Sequence, residues 1–270
     1  MHALESIDFA NPANFLLTTC YASLAIFGRY LLLCLGFSFV FERSTWQHRK
    51  IAQRPQARAQ KWKEIGWSAL SSVLFAIVGT ALLLAWQLGY TQIYTGWDAY
   101  SWVYIPISAL LFLFFHETYY YWLHRWMHRP KIYRWIHKAH HDSFCPSVWT
   151  SFSFHPIESL LQSVVLPIAV FVMPMHYSVL IVLLVIMTVS SVINHLNIEI
   201  FPASFAENRF GKWLVGATHH ALHHTQFRFN YGLYFTFWDK WMQTESPQFE
   251  KVFREKTIEP KKKIPRMPIR

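Results

Sequence analysis

Residues 116–141 read HETYYYWLHRWMHRPKIYRWIHKAHH, and this stretch decides the fold because an apolar block ends in it and a histidine-rich one begins. No Gly or Pro falls between His116 and Arg129, so one helix can carry Glu117, Tyr121, His124 and His128 as a stripe along a single face. Upstream, Trp102–Leu123 holds no charged residue except Glu117, so that helix reads as a membrane span continuing into the aqueous phase. Beyond Pro130, a second helix over about 130–141 carries HKAHH, with His137, His140 and His141. A third cluster, HHALHH, supplies His219, His220, His223 and His224.

Nine of the fifteen histidines lie in these three clusters. Neutral imidazole is the commonest protein ligand for metals. Residues at i, i+3 and i+4 share one helix face, so each cluster can aim two or three ring nitrogens at one point. Eight rings (His124, His128, His137, His140, His141, His220, His223 and His224) are too many for one tetrahedral zinc. A pair of metals is expected. His195 closes the next apolar block at the right depth for a ninth ligand, and Glu199, four residues on, is left open as another. Ligating histidines donate their second N–H to a carboxylate or carbonyl. Glu117, Asp142, Glu158 and Glu199 are the acids at hand, and Glu117, Tyr121, His155, Glu158 and His219 are read as supporting the centre from behind its ligands. His2, His48, His116 and His176 are assigned no such role.

Composition sets the class. The chain has 270 residues, 53% of them hydrophobic and 18% aromatic. The apolar residues come in blocks: Phe15–Phe41 broken only by Arg29, Ser68–Tyr90, Trp102–Leu123, and Leu160–Asn194 with an interruption at Met173–His176. A bilayer crossing needs about 20 apolar residues. A soluble helical core would need a polar face that these blocks lack. The expected architecture is an all-α integral membrane protein with about four transmembrane helices, the last pair open to reading as a re-entrant hairpin. Residues 1–255 form one domain, and 256–270 are a basic tail without fixed structure. The scattered cysteines Cys20, Cys34 and Cys145 offer no disulfide framework.

The net charge of +10 is distributed by side. Of 25 Lys and Arg, seven lie in 42–66, five in 124–158 and twelve after 195, whereas 1–14 and 91–101 have none. Cytoplasmic loops are enriched in Lys and Arg, so the histidine clusters and the C-terminus are expected in the cytoplasm. Anionic lipid headgroups explain the surplus without nucleic acid.

Imidazole suits zinc, copper, iron and nickel alike. A site bordering apolar spans points to an apolar lipid, which offers C–H bonds rather than hydrolysable ones. Oxidising those needs a redox metal and O2, for which zinc is unsuited. Two iron ions are therefore expected, with zinc a possible substitute in purified material.

The order HRWMH, HKAHH, FHPIE, NH, HHALHH, NYGLYFTFWD resembles the fatty acid hydroxylase and sterol desaturase superfamily of membrane di-iron oxidoreductases. WTSFSFHPIESLLQS (149–163) and THHALHHTQFRFNYGLYFTFWDKW (218–241) look most like its C-5 sterol desaturase branch. The likeness covers about 110–245, and residues 1–100 match in hydropathy alone. It implies about four spans, a metal centre under a cytosolic helical cap, and a tunnel by which a sterol or fatty-acyl lipid is hydroxylated or desaturated. By the same likeness the eight clustered histidines fall on the family's histidine boxes and His195 on its additional ligand. The sequence departs at HLNIE (195–199), where some relatives carry a second histidine. No fused haem domain follows the motifs, so an external electron-donor protein is implied. Two rival readings make different demands on the sequence. A divalent-metal transporter would place ionisable residues at mid-bilayer. A non-catalytic protein with structural zinc would favour cysteine ligands.

Overall fold

A computed structural model describes residues 6–53 and 57–258. Three of its helices are long and apolar enough to cross a membrane: α1 (Pro12–Phe41), α2 (Arg58–Gln87) and α8 (Tyr177–His195). The intervening α3 (Tyr104–Met127) is one unbroken helix of 24 residues. Leu16, Leu24, Leu32 and Leu35 of α1 are each more than half exposed, as befits a helix facing lipid rather than water. The chain is built as an integral membrane protein.

Local sequence sets the boundaries. Asn11 caps α1: its side chain accepts from the Ala13 amide, and Pro12 fills the first position, where no donor is needed. Ahead of Pro130, Arg129 is forced into an extended conformation, which ends α3. The expected helix over 130–141 is two short ones, α4 (Pro130–Trp135) and α5 (Lys138–His141). Ile136, at φ −112° and ψ −52°, departs from helical geometry between them. The second span starts at Arg58, ten residues before the apolar block, so its first turns stand with the cap. There Lys63 pairs with Asp142 at 2.7 Å.

The fourth apolar block folds as α6 (Pro156–Ser163) and α7 (Val165–Val172), then α8. At its turning point lies the one two-stranded sheet among the described residues: β1 (Ile93–Tyr94) pairs in parallel with β2 (Met175–His176). The pairing ties the tip of the fourth block to the α2–α3 connection, so both lie at the same end of the bundle. His176 serves this junction, its Nε2 3.1 Å from the Thr95 carbonyl and its ring over Trp97.

The spans pack through small residues. Ser68, Ser71, Ser72, Ala76 and Thr80 are buried at helical spacing on α2. They admit close approach by α1, where the Thr19 and Thr80 hydroxyls meet at 3.1 Å, and by α6, where Ser159 donates to Ser71 at 2.8 Å. At the other end the apolar core passes into the cap: Tyr30 and Cys34 of α1 pack with Val148, Trp149, Phe152, Val192 and Ile198, and the Tyr30 hydroxyl donates to the Trp149 carbonyl at 2.8 Å. The cap is closed by α9 (Ala217–Gln226), α10 (Phe237–Trp241) and α11 (Phe249–Thr257). Lys256 and Thr257 thus belong to α11, and residues 259–270 of the expected tail lie outside the described residues. Enlarging the small face with Thr80→Leu should overpack the α1–α2 contact and cost about 1–3 kcal/mol, read as a lower Tm in detergent.

Candidate metal centre

Four segments bring imidazoles to one place: the end of α3, the α4–α5 break, the end of α8, and α9. The nine candidate histidines sort into two groups, His124, His128, His137, His141 and His223 in one, His140, His195, His220 and His224 in the other. Within each group one ring nitrogen per residue lies within 4.8 Å of all the others. The clusters do not each converge on one point, as their spacing suggested. In HKAHH, His137 and His141 join the first group and His140 the second. In HHALHH, His220 and His224 join the second group and His223 the first. Residues four apart are offset by about 40° around a helix and consecutive ones by about 100°. The i, i+4 pairs therefore stay together while each HH doublet straddles both groups.

The hydrogen bonds fix which nitrogen faces inward. The Nδ1–H of His124 donates to the Tyr231 carbonyl at 2.9 Å, and that of His137 to Glu158 Oε1 at 2.8 Å. Their Nε2 atoms face each other at 3.1 Å. In the second group His140 donates to the Ser153 carbonyl at 3.2 Å and His195 to the Ser191 carbonyl at 2.7 Å, and their Nε2 atoms face each other at 3.2 Å. His223, donating to the Phe229 carbonyl at 2.7 Å, turns its Nε2 to those of His128 and His141, each at 3.1 Å. His220 Nε2 lies 2.9 Å from His195 Nε2 and 3.1 Å from His224 Nε2.

Two acceptors at such distances repel unless a cation lies between them. Protonation is not the remedy: burial first, and then the neighbouring imidazoles, hold His137, His140, His141, His220, His223 and His224 well below the usual imidazole range. A metal–nitrogen bond of about 2.1 Å sets two ligand atoms about 3.0 Å apart at a right angle and about 3.4 Å apart at the tetrahedral angle. The observed spacings of 2.9 to 3.2 Å sit nearer the right angle. The donor set fits two ions, one at each group. Among the described residues, Nδ1 of His141, His220 and His224 is buried without a hydrogen-bond partner.

Of the residues assigned a supporting part, Glu158 alone touches a ligand ring. Glu117 acts at one remove: its carboxylate accepts from the Leu233, Tyr234 and Phe235 amides at 3.0, 2.7 and 3.2 Å, holding the turn that offers the Tyr231 carbonyl to His124. Tyr121 is placed elsewhere, its hydroxyl 2.9 Å from Thr244 Oγ1 and its ring stacked on Trp238. His155 caps α6, accepting from the Ile157 amide at 3.4 Å. His219 stacks on Phe249 at 3.7 Å, joining α9 to α11. Glu199, open as a ligand, is committed to the start of α9, accepting from the Thr218 amide at 3.0 Å and hydroxyl at 2.6 Å, where an anion suits the helix end. Asp142 stays at the surface between Lys63 and Lys138.

Sequence reasoning passed over Asp239, which accepts from the Tyr231 and Gly232 amides at 2.9 and 2.8 Å. It closes the motif NYGLYFTFWD, and that position was the available signal. The orienting carbonyls of Ser153, Ser191, Phe229 and Tyr231 carry no side-chain signature at all. Gly232 is enclosed so tightly by the Phe235 carbonyl, Asp239 and Glu117 that a Cβ would not fit.

Comparison with known proteins agrees with this geometry. A family model described as fatty acid hydroxylase matches residues 109–244, which include all nine histidines. The chain belongs to the fatty acid hydroxylase family. It falls in the C-5 sterol desaturase-like branch of that superfamily. It is 30% identical over 217 residues to a Delta(7)-sterol 5(6)-desaturase of Gibberella zeae, covering 80% of this chain and 64% of that protein. It is 32% identical to the lathosterol oxidase of Rattus norvegicus and 31% identical to that of Homo sapiens, over 220 residues in each case, covering 79% of this chain and 70% of theirs. No solved structure matches.

Two outcomes test the centre. Elemental analysis of the purified chain should find about two metal ions, with His223→Ala and His220→Ala each losing at least one. Gly232→Ala should lower metal content without removing a ligand, because the turn carrying the Tyr231 carbonyl is displaced.

Proposed function

We propose that the chain is a membrane-bound oxidoreductase that uses two iron ions, O2 and electrons from a separate protein to hydroxylate or desaturate a lipid of sterol or fatty-acyl type. The observation that carries this reading is the convergence of buried imidazole lone pairs into two adjacent groups beside a lipid-facing cavity. Bound iron would supply O2 activation and hydrogen removal from an unactivated carbon, which side chains cannot perform.

The protein's own part is placement. The cavity lies among α1, α2, α3, α7 and α8, is lined by apolar side chains such as Ile26, Phe75, Leu166 and Met187, and ends at the ligand candidate His195. A lipid body entering between the spans stays out of water, and its reacting carbon is led toward the metals. His116 and Tyr120 line the same cavity from α3, two turns and one turn before His124 respectively. His116 is locked by its Nδ1 contact to the Tyr234 hydroxyl at 3.0 Å. Hydroxylation and desaturation both draw two electrons from outside. A docking place for the donor is offered by α4, where Arg129, Lys131, Arg134 and Trp135 are exposed. The lysines and arginines of the cap support a cytoplasmic placement by the positive-inside rule. The joining of the fourth block's tip to the α2–α3 connection supports four crossings over a shallow re-entrant loop.

His140→Ala should abolish lipid oxidation and lower iron content, while membrane insertion and expression stay unchanged. Product formation and O2 consumption with a reducing partner check this, and full turnover in the variant would overturn the reading. Lipid extracts of cells with and without the gene should differ in one substrate–product pair.

A further inference from the structure

Arg29 is the one fixed charge inside the spans that the proposed mechanism leaves idle. It lies in α1 next to Tyr30, whose hydroxyl donates to the Trp149 carbonyl, so it stands where the spans meet the cap. A cation set among apolar spans is costly unless it faces a partner or a cavity. Arg29 has the cavity: among its described lining residues no other side chain carries a fixed charge. It lacks the partner, for among the described residues no carboxylate pairs with it, and its Nε is buried without a hydrogen bond. Three of the cavity's other polar side chains are engaged elsewhere. Ser191 donates to the Ser151 carbonyl at 2.8 Å, Thr188 to the Leu184 carbonyl at 2.9 Å and Gln162 to Glu158 at 3.0 Å.

We propose that Arg29 is a headgroup-binding residue, and that the lipid entering this cavity carries an ionised carboxylate or phosphate monoester that the guanidinium clamps while the apolar body extends toward His195. The inference rests on the cavity being the substrate site of the function proposed above. A guanidinium presents a planar fork of donors matched to two oxygens of one oxyanion. A hydroxyl offers a single acceptor and leaves the charge uncompensated. Apolar walls strengthen the contrast, because charge–charge attraction grows as the effective dielectric falls. Arg29 and His195 line one cavity, so anchoring the head would also fix which carbon of the chain lies beside the metals. Arg29 is thus the residue that sets the position of attack.

Binding can be read without turnover. The metal-loaded full chain in nonionic detergent at pH 8 is titrated calorimetrically with hexadecanoate, hexadecyl phosphate and hexadecanol. At least one anion should bind tenfold or more tighter than the alcohol, about 1.4 kcal/mol. A lead for the carboxylate identifies a free lipid acid as the source, and a lead for the phosphate identifies a phospholipid-type monoester. Arg29→Gln should erase the preference, and Arg29→Lys should keep part of it. Equal affinities in the wild type, or a preference that survives Arg29→Gln, overturns the proposal. Should Arg29→Gln fail to fold, the wild-type comparison decides alone. Metal content and O2 consumption are measured on the same samples. Loss of those with an Arg29-dependent preference intact would refute the catalytic reading and not the headgroup site.

Discussion

Nine imidazoles, eight of them buried and His128 half-buried, turn ring nitrogens toward one another in two groups, and the rest of the structure is arranged to keep them there. In water such rings would turn outward and bond to solvent. Here each of five is pinned from behind by a hydrogen bond from Nδ1, to a backbone carbonyl for His124, His140, His195 and His223 and to Glu158 for His137. Burial then removes the option of protonation, since a charged ring would have to give up its hydration. Residual repulsion of this kind is what a bound cation cancels. The proposed irons would thus be a structural necessity as well as the reagent.

Helix α3 connects that constraint to the membrane. Its length without Gly, or Pro beyond Pro106, lets one rigid rod carry Phe112 in the span core, His116 and Tyr120 at the cavity, and His124 and His128 at the metals. Glu117, on the same rod, grips the 231–236 turn through three amides. Asp239 grips it from the other side. The turn therefore has no freedom to relax away from His124, and the inward aim of that ring follows from carboxylates that never touch a metal.

Much of this was legible in the sequence. The apolar blocks gave the spans, because a helix apolar all round has no other stable environment. The histidine spacing picked out eight of the nine converging rings, because adjacent polar rings beside membrane spans need a partner, and the depth of His195 at the end of its apolar block added the ninth. The division of HKAHH and HHALHH between two groups was not legible. A same-face argument treats i, i+3 and i+4 alike, whereas the facing helices separate i+3 from the i, i+4 pair. The parts given to Tyr121, His155 and His219 also went astray. Nearness in sequence to a ligand does not say which way a side chain leaves its helix, and these three leave toward Thr244, the α6 start and Phe249. Backbone acceptors such as the Ser153 carbonyl could not be seen at all, since every residue has one.

The doublets His140–His141 and His223–His224 have a further consequence. Each joins the two halves of the centre through a single peptide bond, so neither half owns a private scaffold. Tightening the backbone around one ion presets the torsions that present ligands to its neighbour. Loading would then be cooperative, and a population short of metal would divide into full and empty molecules rather than accumulate half-filled ones. For chemistry that draws on both ions at once, that linkage guards against a lone reactive metal in the bilayer.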